Sequence, residues 1–459
     1  MSAEFGLTHF IGIGGAGMSA IATVLLQSGC PVSGSDLNDS PVVSRLREMG
    51  AQILIGHNAS NLPANAERVV FSTAISLENS EVQAAKQRGI PIIHRADMLS
   101  KMMNKQKGIA ISGAHGKTTT SAMIGMILLE NGLDPTVVVG GYVTAFNGNS
   151  RRGKGDYLVA EADESDGSFL KLYPHVAIVT NVEDDHMDYY QSLENIQTAF
   201  KQFVSKVPED GLVVLCTDDL FLRRMAREVK VPLLTYGTNE YADFTARNIE
   251  VNGGTTADIW YGDSCLGKLN LAVPGRHNLL NALAGIAVAF QLGLSFEQIA
   301  NSLSNFKGVG RRFQTIGRGG GIWVVDDYAH HPTEIKATVN AAKDTDVQRI
   351  IAVFQPHRYT RTKQLYREFG QAFQQADLVI LDDVYSAGEG PVEGVSSKLI
   401  YQELSHRQQA EMVSGKENIV SLLEKTVRPG DLILTLGAGD VWKVAEMIVE
   451  RLGINGGAK

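Results

Sequence analysis

A glycine-rich segment with a lysine and a threonine carries the strongest chemical signal in the chain. It follows the apolar run Ile109–Ser112, so the sequence predicts a strand that ends in a phosphate-binding loop. In such a loop backbone N–H groups cradle phosphate oxygens, the lysine reaches the β- and γ-phosphates, and the next hydroxyl binds Mg²⁺. Ile111 stands where the usual pattern has its first glycine, so the loop is a shortened version. Its residues are Gly113, Ala114, His115, Gly116, Lys117, Thr118 and Thr119.

A second glycine pattern lies near the start of the chain. GxGxxG, formed by Gly12, Gly14 and Gly17, follows the predicted strand Thr8–Ile13, and Asp36 ends the next strand. This pattern predicts a diphosphate at a helix N-terminus and an acid near a ribose hydroxyl. By itself it leaves open an NAD(P) site, a site for another nucleotide, and a tight turn without a ligand.

Carboxylates follow the strand predicted over Asp156–Glu161. A carboxylate at a strand end opposite a phosphate-binding loop is a typical ligand of Mg²⁺, either directly or through water. Glu161 is therefore a candidate metal ligand. The acids that come next, Asp163, Glu164 and Asp166, are interpreted as a solvated acidic turn.

A histidine follows the next apolar strand, which is predicted over Val176–Thr180. His186 stands there beside Asp184 and Asp185. A single histidine is more commonly a surface group or a hydrogen-bonded core group, but beside carboxylates at a strand end it can bind a metal. The residues by themselves leave both interpretations open.

An asparagine lies near the start of the helix predicted over Leu279–Gln291. The side chain of Asn278 can cap this helix, or its amide can read the edge of an adenine with a paired donor and acceptor. The residues alone do not decide between these two roles.

Polar clusters also follow two strands in the last third of the chain. The strand Ile322–Val325 runs into Asp326–Pro332, and the strand Arg349–Phe354 runs into a turn with Arg358 and Arg361. Open α/β sheets bind ligands at the carboxyl ends of their strands. Two arginines three residues apart suit a carboxylate or a phosphate, with a solvated basic turn as the alternative.

Composition limits the class of protein. The 459 residues are 44% hydrophobic and 20% charged, which predicts about three globular domains and excludes disordered and collagen-like chains. A net charge of −8 does not favour nucleic acid or an anionic membrane as a partner. Without a signal sequence or a long apolar run, we expect a cytoplasmic protein with no membrane insertion. Cys30, Cys216 and Cys265 are widely spaced and predict reduced packing residues.

Strands and helices are predicted to alternate through almost the whole chain, which indicates parallel α/β layers. The polar, basic stretch Lys101–Lys107 marks a first domain boundary. The glycine- and arginine-rich stretch Gly308–Gly321 precedes the last set of strands. Between them, Asp243–Leu271 alternates polar and apolar residues, which indicates antiparallel strands inserted in the parallel core.

The complete set of motifs resembles the Mur ligase family of peptidoglycan synthesis, over nearly all of the chain and in the family's order. Besides the short phosphate loop, the resemblance is carried by Glu161–Phe169, Asn181–Asp188, Pro274–Ala282 and Gly308–Phe313. It implies an α/β fold of three domains. These are a Rossmann-like, UDP-sugar-binding domain at 1–106, a central P-loop ATPase-type domain at 107–313, and a Rossmann-like domain at 314–459 that closes over ATP and the amino acid.

Three segments resemble the alanine-adding branch of the family, namely Gly12–Ala22, Asp326–Ile335 and Pro356–Thr362. The resemblance implies an enzyme that joins L-alanine to the lactyl carboxylate of UDP-N-acetylmuramate through an acyl phosphate, with ATP and Mg²⁺ as cofactors. The sequence does not determine whether it is a monomer or a homodimer. Nor does it determine the choice among L-alanine, L-serine and glycine.

The resemblance also implies roles for single residues. Besides the phosphate loop from Gly113 to Thr119, ATP is assigned His277, Asn278, Asn281, Arg311 and Asp327. The UDP-sugar is assigned Gly12, Gly14, Gly15, Gly17, Asp36, His57 and Thr73. Mg²⁺ is assigned Thr118, Glu161 and His186. Catalysis is assigned Lys117, Glu161, His186, His330, Arg358 and Arg361, the last three facing the sugar carboxyl and the alanine.

Two departures from the family pattern concern single side chains. Ala114 stands where many relatives carry threonine, which alters side-chain contacts only, because the loop acts through its backbone. Several sister ligases use a carbamoylated lysine after the DHMD motif. No lysine stands clearly at that place here, so the role is not transferred to Lys201 or Lys206.

Three alternative functions explain parts of the sequence. A muropeptide-recycling ligase would join a tripeptide to the same UDP-sugar. An NAD(P)-dependent oxidoreductase would explain GxGxxG and Asp36 but not Lys117 or Glu161. A non-catalytic, nucleotide-dependent switch protein would not couple ATP consumption to amide formation.

Overall fold

The computed structural model describes residues 5–404 and 409–454. These residues form three sheets with helices between the strands, an α/β fold. None of the helices among them combines the length and the apolar character that crossing a membrane requires. By their contacts they divide into two compact units. The first unit spans the described part of Met1–Arg247 with Asp258–Leu269 and Leu280–Ser304, and the second spans Asn248–Ala257, Asn270–Leu279 and the described part of Asn305–Lys459.

The first sheet is parallel throughout. Its strands are β1 Thr8–Ile11, β2 Val32–Asp36, β3 Gln52–Ile55, β4 Arg68–Phe71 and β5 Ile92–His94. Its helices are α1 Ala16–Gln27, α2 Pro41–Glu48, α3 Ser80–Gln87 and α4 Arg95–Met103, with a short 3₁₀ turn at Ala59–Asn61. The strand order is β3-β2-β1-β4-β5, so the order reverses at β1. Ligands bind at such a switch point in open α/β sheets, and the glycine turn follows β1.

The stretch Lys101–Lys107, where the first domain boundary is predicted, is only partly exposed. α4 continues to Met103 and the next strand begins at Lys107. The exposed fractions of Met102 and Met103 are only 1% and 0%, because these side chains pack inward while Lys101 stays outside. The number of polar residues in a segment does not show which residues lie on the buried face of a helix and which lie on its exposed face.

The second sheet follows directly. Its strands are β6 Lys107–Ser112, β7 Thr136–Val143, β8 Gly148–Arg151, β9 Tyr157–Glu161, β10 Val176–Val179, β11 Leu212–Cys216, β12 Leu233–Gly237, β13 Phe244–Val251, β14 Thr255–Tyr261 and β15 Ser264–Leu271. Its helices are α5 Lys117–Glu130, α6 Met187–Tyr190, α7 Leu193–Val204, α8 Leu220–Met225, α9 Arg276–Gln291 and α10 Phe296–Ser304, with 3₁₀ turns at Thr144–Phe146 and Ser168–Lys171.

The order of the second sheet is β15-β14-β13-β12-β11-β10-β6-β9-β7-β8. β6, which leads into the phosphate loop, lies between β10 and β9 and is parallel to both. The carboxyl ends of these three strands therefore meet at one edge of the sheet. The sequence predicts that β13, β14 and β15 are inserted in the parallel core. In the structure they instead lie at one end of the sheet, where β13 pairs in parallel with β12.

The third sheet lies in the second unit. Its strands are β16 Gln314–Gly319, β17 Ile322–Asp327, β18 Arg349–Phe354, β19 Leu378–Leu381, β20 Gln409–Met412 and β21 Asp431–Leu436. Its helices are α11 Pro332–Lys343, α12 Tyr359–Ala372, α13 Ser397–Glu403, α14 Lys416–Thr426 and α15 Trp442–Arg451. The order is β16-β17-β21-β18-β19-β20, and β16 is antiparallel to β17. This hairpin occupies part of the glycine- and arginine-rich stretch that we expected to precede the strands.

The third sheet is buried on both faces. Ile350 and Ala352 of β18 belong to one apolar cluster, whereas Ile351 and Val353 belong to another. Successive side chains of a strand point to opposite faces, so helices cover both sides of the sheet. The second sheet begins at Lys107 and the third at Gln314. The domain boundaries themselves stay predictions.

The three cysteines differ in burial. Cys30 and Cys216 are buried, and burial raises the pKa of the Cys216 thiol to about 12. These two thiols fit the predicted packing role. Cys265 is exposed, so that prediction is wrong for it.

Candidate active site

The phosphate loop connects β6 to α5 in the first unit. Gly113 and Gly116 have φ angles of +136° and +85°, which L side chains rarely adopt. A Cβ atom would lie 2.1 Å from the Thr180 hydroxyl at Gly113 and 2.4 Å from Asn281 Oδ1 at Gly116. Glycine is therefore required at both positions by the backbone and by the neighbours. The contact also brings Asn281, one of the residues assigned to ATP, against the loop.

Replacing Gly116 with alanine is expected to weaken ATP binding at least about tenfold, because the added Cβ displaces Asn281 and distorts the loop. Titration calorimetry with a non-hydrolysable ATP analogue measures this loss. Gly132→Ala is the matched control: Gly132 has φ +78° at the far end of α5, and a Cβ added there would meet no neighbouring atom within 4 Å. An equal loss of affinity in both variants would show that backbone strain alone is responsible.

The end of β10 holds the phosphate loop in place. Asn181 Oδ1 accepts the His115 N–H at 2.9 Å, and Asn181 Nδ2 donates to the His115 carbonyl at 3.0 Å. The Thr180 hydroxyl donates to the same carbonyl at 2.6 Å, and the Asn181 carbonyl accepts the Ala114 N–H. Sequence reasoning did not assign Asn181 a role. The available sequence signal was its position directly after the apolar strand predicted over Val176–Thr180, because polar residues at strand ends are candidates for a site.

Lys117 pairs with a carboxylate that the sequence analysis assigned to solvent. Its Nζ lies 2.7 Å from Glu164 Oε1 and also donates to the Gly113 carbonyl. Burial opposes the charged ammonium, but Glu164 and Asp163 raise the pKa of Lys117 overall. Glu164 is 3% exposed, and burial raises its pKa to about 7. The predicted solvated turn is therefore wrong for Glu164.

The other two acids of this turn are also engaged within the first unit. Asp163 Oδ2 lies 2.5 Å from Arg95 Nη2, and Asp166 Oδ2 accepts the Thr73 hydroxyl at 3.0 Å. Burial opposes ionisation, but Arg95 and Lys117 hold the pKa of Asp163 well below its usual range. The acidic turn thus connects elements of the first and second sheets. Thr73, assigned to the UDP-sugar, lies at this connection.

The groups assigned to Mg²⁺ surround the same loop. Thr118 is buried at the start of α5, and Glu161 ends β9, where its Oε1 accepts the Gly140 N–H. His186 Nε2 lies 3.8 Å from Glu164 Oε1. Glu164 Oε2 is buried and has no hydrogen-bond partner among the described residues. A buried carboxylate oxygen requires a donor or a cation. Glu164 Oε2, the Thr118 hydroxyl and the Glu161 carboxylate are oxygen ligands of the kind that a hard divalent cation prefers.

The first sheet positions the residues assigned to the UDP-sugar. Gly12 has φ +74°, and its N–H donates to the Ser35 carbonyl at 2.8 Å. The Gly15 N–H closes the turn on the Gly12 carbonyl. Asp36 Oδ2 accepts the Gly14 N–H at 2.8 Å, so this acid, expected near a ribose, also fixes the glycine turn. Gly17 lies in the first turn of α1, and His57 follows β3.

Asn278 is the third residue of α9 and not its N-cap, so the capping interpretation is wrong. Its Nδ2 donates to the Pro274 carbonyl at 2.7 Å. His277, one residue earlier, lies in the second unit, where burial and Arg312 lower its pKa to about 4. This imidazole is therefore neutral at physiological pH.

Arg311 and Asp327, both assigned to ATP, are tied down within the second unit. Arg311 has φ +59°, and its guanidinium contacts Asp326 Oδ2 at 2.9 Å and donates to the Gly437 carbonyl at 2.6 Å. Asp327 Oδ2 accepts the Phe313 N–H at 2.7 Å, and burial raises the pKa of Asp327 to about 6. These contacts of Arg311 and Asp327 hold the segment 311–313, which leads into β16, against the ends of β17 and β21.

The carboxyl ends of β17 and β18 bring together groups assigned to catalysis. The ring centroids of His330 and His357 lie 6.0 Å apart. Burial is the largest cause that lowers the pKa of these two histidines, to about 3 for His330 and about 4 for His357, and the nearby Arg361 charge also lowers both. Arg358 is exposed with φ +72°, and its N–H donates to the Tyr385 carbonyl. His357 and Tyr385, whose rings stack, were not found from the sequence.

Acidification is expected to destabilise the second unit between about pH 6.5 and pH 4. His277, His330 and His357 have folded pKa values of about 4, 3 and 4, below the ordinary 6.5. The unfolded chain therefore takes up protons at these three histidines in this range, whereas the folded unit binds them only at lower pH. Asp327, whose folded pKa is about 6, has the opposite effect, but one carboxyl group does not offset three histidines, so stability falls as pH falls. Each histidine contributes about 1.4 kcal/mol per pKa unit.

Amide hydrogen exchange of peptides covering β18 and β21 at pH 7 and pH 5, corrected for intrinsic rates, measures this loss of protection. His357→Gln is expected to weaken the pH dependence, whereas His175→Gln, in the first unit, leaves it unchanged. Equal protection at both pH values would contradict the prediction.

Three family descriptions match successive parts of the chain. "Mur ligase family, catalytic domain" matches residues 7–107, "Mur ligase middle domain" matches 111–289, and "Mur ligase, glutamate ligase domain" matches 311–439.

Named proteins match over almost the full length. The UDP-N-acetylmuramate–L-alanine ligase of Pelotomaculum thermopropionicum is 52% identical over 451 residues, which cover 97% of this chain and 98% of that protein. The enzyme of the same name from Desulforamulus reducens is 50% identical, with 97% of each chain covered.

Solved structures agree. The UDP-N-acetylmuramate–alanine ligase of Thermotoga maritima matches with a TM-score of 0.84 at 31% identity, covering 97% of this chain and 99% of that one. A murein peptide ligase of Psychrobacter arcticus matches with a TM-score of 0.72 at 25% identity, covering 97% and 98%. The resemblance and the three-sheet α/β fold are thereby confirmed, and the chain belongs to the Mur ligase family.

Proposed function

We propose that this protein joins L-alanine to the lactyl carboxylate of UDP-N-acetylmuramate at the expense of ATP. The observation that carries the proposal is the 52% identity, over 97% of the chain, to an enzyme of that name. The geometry is consistent with it, because the phosphate loop, Glu161 and His186 lie at the ends of the neighbouring strands β6, β9 and β10. We place the reaction in the cytoplasm, where ATP and UDP-sugars are found.

The carboxylate of the sugar is a poor acylating agent, because its leaving group would be an oxide. In the proposed reaction a carboxylate oxygen attacks the γ-phosphorus of ATP and ADP leaves, which gives an acyl phosphate. The neutral amine of alanine then attacks the acyl carbon. A C–N bond forms, the bond to the phosphate oxygen breaks, and the amine gives up a proton. The products are the amide, ADP and phosphate.

The chain's own groups bind and orient the reactants. Lys117, held at the mouth of the loop by Glu164, contacts the β- and γ-phosphates, while the loop N–H groups bind phosphate oxygens. Thr118, Glu161 and His186 hold Mg²⁺. When bound, Mg²⁺ neutralises charge on the transferred phosphoryl group.

Asn281, which lies against Gly116 of the phosphate loop, binds ATP on its adenine side in this proposal. His277 and Asn278 of the second unit are assigned to the same side of the nucleotide. Arg311 and Asp327 complete the nucleotide set.

The second unit supplies groups for the carboxylates of the sugar and of alanine. Arg358 and Arg361 bind these carboxylates through charge-assisted hydrogen bonds. His330, whose imidazole is neutral at pH 7, is assigned to the same part of the site. The glycine turn after β1 binds the UDP group.

Phosphate release tests the proposal directly. The purified protein is incubated with ATP, Mg²⁺ and UDP-N-acetylmuramate, with L-alanine, D-alanine, glycine or L-alanyl-γ-D-glutamyl-diaminopimelate as acceptor, and products are identified by mass. Release that depends on L-alanine, together with the expected amide, is the expected result. Release with the tripeptide alone would instead identify a recycling ligase, and release with no acceptor would contradict ligase function.

A further inference from the structure

A buried carboxylate, Glu81, lies close to the glycine turn of the first sheet and is bonded to two histidines. Glu81, on α3, is fully buried. One of its oxygens lies 2.7 Å from His9 Nε2 and accepts the Ser35 hydroxyl at 2.9 Å. The other lies 3.1 Å from His57 Nδ1 and accepts the Asn58 N–H at 3.3 Å. Burial opposes ionisation, but these hydrogen bonds lower the pKa of Glu81, so it is a carboxylate at neutral pH.

This network is continuous with the glycine turn. The Ser35 hydroxyl donates to Glu81, while the Ser35 carbonyl accepts the Gly12 and Ile13 N–H groups at 2.8 and 3.0 Å. Glu81 therefore connects α3, β1, β2 and the loop after β3 at the edge where the sheet presents its glycine turn. The geometry of the turn and the orientation of the His57 ring depend on the same residue.

The two histidines bound to Glu81 differ in exposure. The side chain of His9 is 0% exposed, and its other ring nitrogen is bonded to Ser33. The side chain of His57 is 15% exposed, and its Nε2 makes no hydrogen bond among the described residues. A carboxylate only accepts hydrogen bonds, so Nδ1 of His57 carries the proton that faces Glu81. Nε2 is then the polar atom left for a ligand.

We propose that Glu81 is a positioning residue that orients His57, so that His57 Nε2 makes a hydrogen bond to the UDP moiety of the substrate. The inference rests on the proposed function, which supplies the UDP group. A buried charge is costly and is weak evidence for a stabilising role. The cost of burying the Glu81 charge is offset by several hydrogen-bond donors. One of these donors, His57, has a partly exposed side chain.

Glu81→Gln tests the proposal. The glutamine amide keeps the volume but has one acceptor oxygen, so it cannot accept from both histidine rings. The Kd for UDP, measured by calorimetry, is expected to rise about tenfold, the loss of one hydrogen bond to a charged group. The KM for the UDP-sugar rises likewise, while kcat and the KM for ATP stay within about twofold. Glu78→Gln, which changes an exposed acid just before α3, is the matched control and leaves all four quantities unchanged.

A double-mutant cycle separates positioning from a general effect on the fold. If Glu81 acts through His57, then adding Glu81→Gln to His57→Ala weakens UDP binding by no more than about twofold further. An equal loss of UDP affinity from Glu81→Gln in both backgrounds overturns the proposal.

A measurement on the unmutated protein covers the case in which Glu81→Gln does not fold. In ¹⁵N-histidine spectra the His57 ring, assigned by its absence from His57→Ala, is expected to carry its proton on Nδ1, and its Nε2 resonance is expected to shift on addition of UDP. A His57 resonance that does not move under saturating UDP overturns the inference alone. A failure of the unmutated protein to bind UDP would overturn the proposed function as well.

Discussion

Lys117→Ala is expected to lower kcat by about 10³-fold or more, because it removes a charge that stabilises the transferred phosphoryl group. The fold is expected to survive. Burial raises the pKa of Glu164 to about 7 even beside Lys117, and the loss of this ammonium raises it further, so Glu164 takes up a proton and no uncompensated charge stays buried. UDP binding, which we assign to the first sheet, is expected to stay within about twofold of the original protein. Phosphate release and calorimetry with UDP measure the two effects.

Lys201→Ala is the matched control for this variant. Lys201 is an exposed lysine of α7 that pairs with Glu228 at 2.6 Å on the surface, where ion pairs contribute little. Near-normal turnover in Lys117→Ala, or an equal loss of turnover in both variants, would contradict the proposed role of the phosphate loop.

Glu161→Gln is expected to lower kcat by about 10²-fold or more and to raise the Mg²⁺ concentration needed for half-maximal activity. The glutamine oxygen still accepts the Gly140 N–H, so the end of β9 keeps its hydrogen bond. The negative charge that attracts the cation is lost. Phosphate release measured over a range of Mg²⁺ concentrations gives both quantities.

Glu130→Gln serves as the control, because Glu130 is an exposed acid at the other end of α5. Its Mg²⁺ dependence is expected to match that of the original protein. If Glu161→Gln shows an unchanged Mg²⁺ dependence, then Glu161 is not a metal ligand.

Local patterns in the sequence determined where the functional segments lie. An apolar run followed by glycine or by polar residues predicts a strand end, and β1, β6, β9 and β10 all confirm this. The reason is that strand formation and the conformational freedom of glycine are properties of a few consecutive residues. The phosphate loop could therefore be located from about ten residues of sequence.

The partner of each functional side chain was decided by the tertiary structure. Glu164 lies 47 residues after Lys117, and Glu81 lies 72 residues after His9. Neither pairing has a local signature, so a turn rich in acids was interpreted as solvated although Glu164 is buried. Asp36, which is predicted to lie near a ribose, also accepts the Gly14 N–H and so holds the glycine turn, a contact that the sequence did not indicate.

The sequence by itself thus determined the order of strands, loops and helices, the family, and the residue types at the ends of the strands. The tertiary structure decided which of those residues are buried, which are ionised, and which contact one another. The physical reason is that burial and charge pairing depend on the strand order of a sheet. In the order β10-β6-β9, strands far apart in the chain become parallel neighbours, and their carboxyl ends meet at one edge of the sheet.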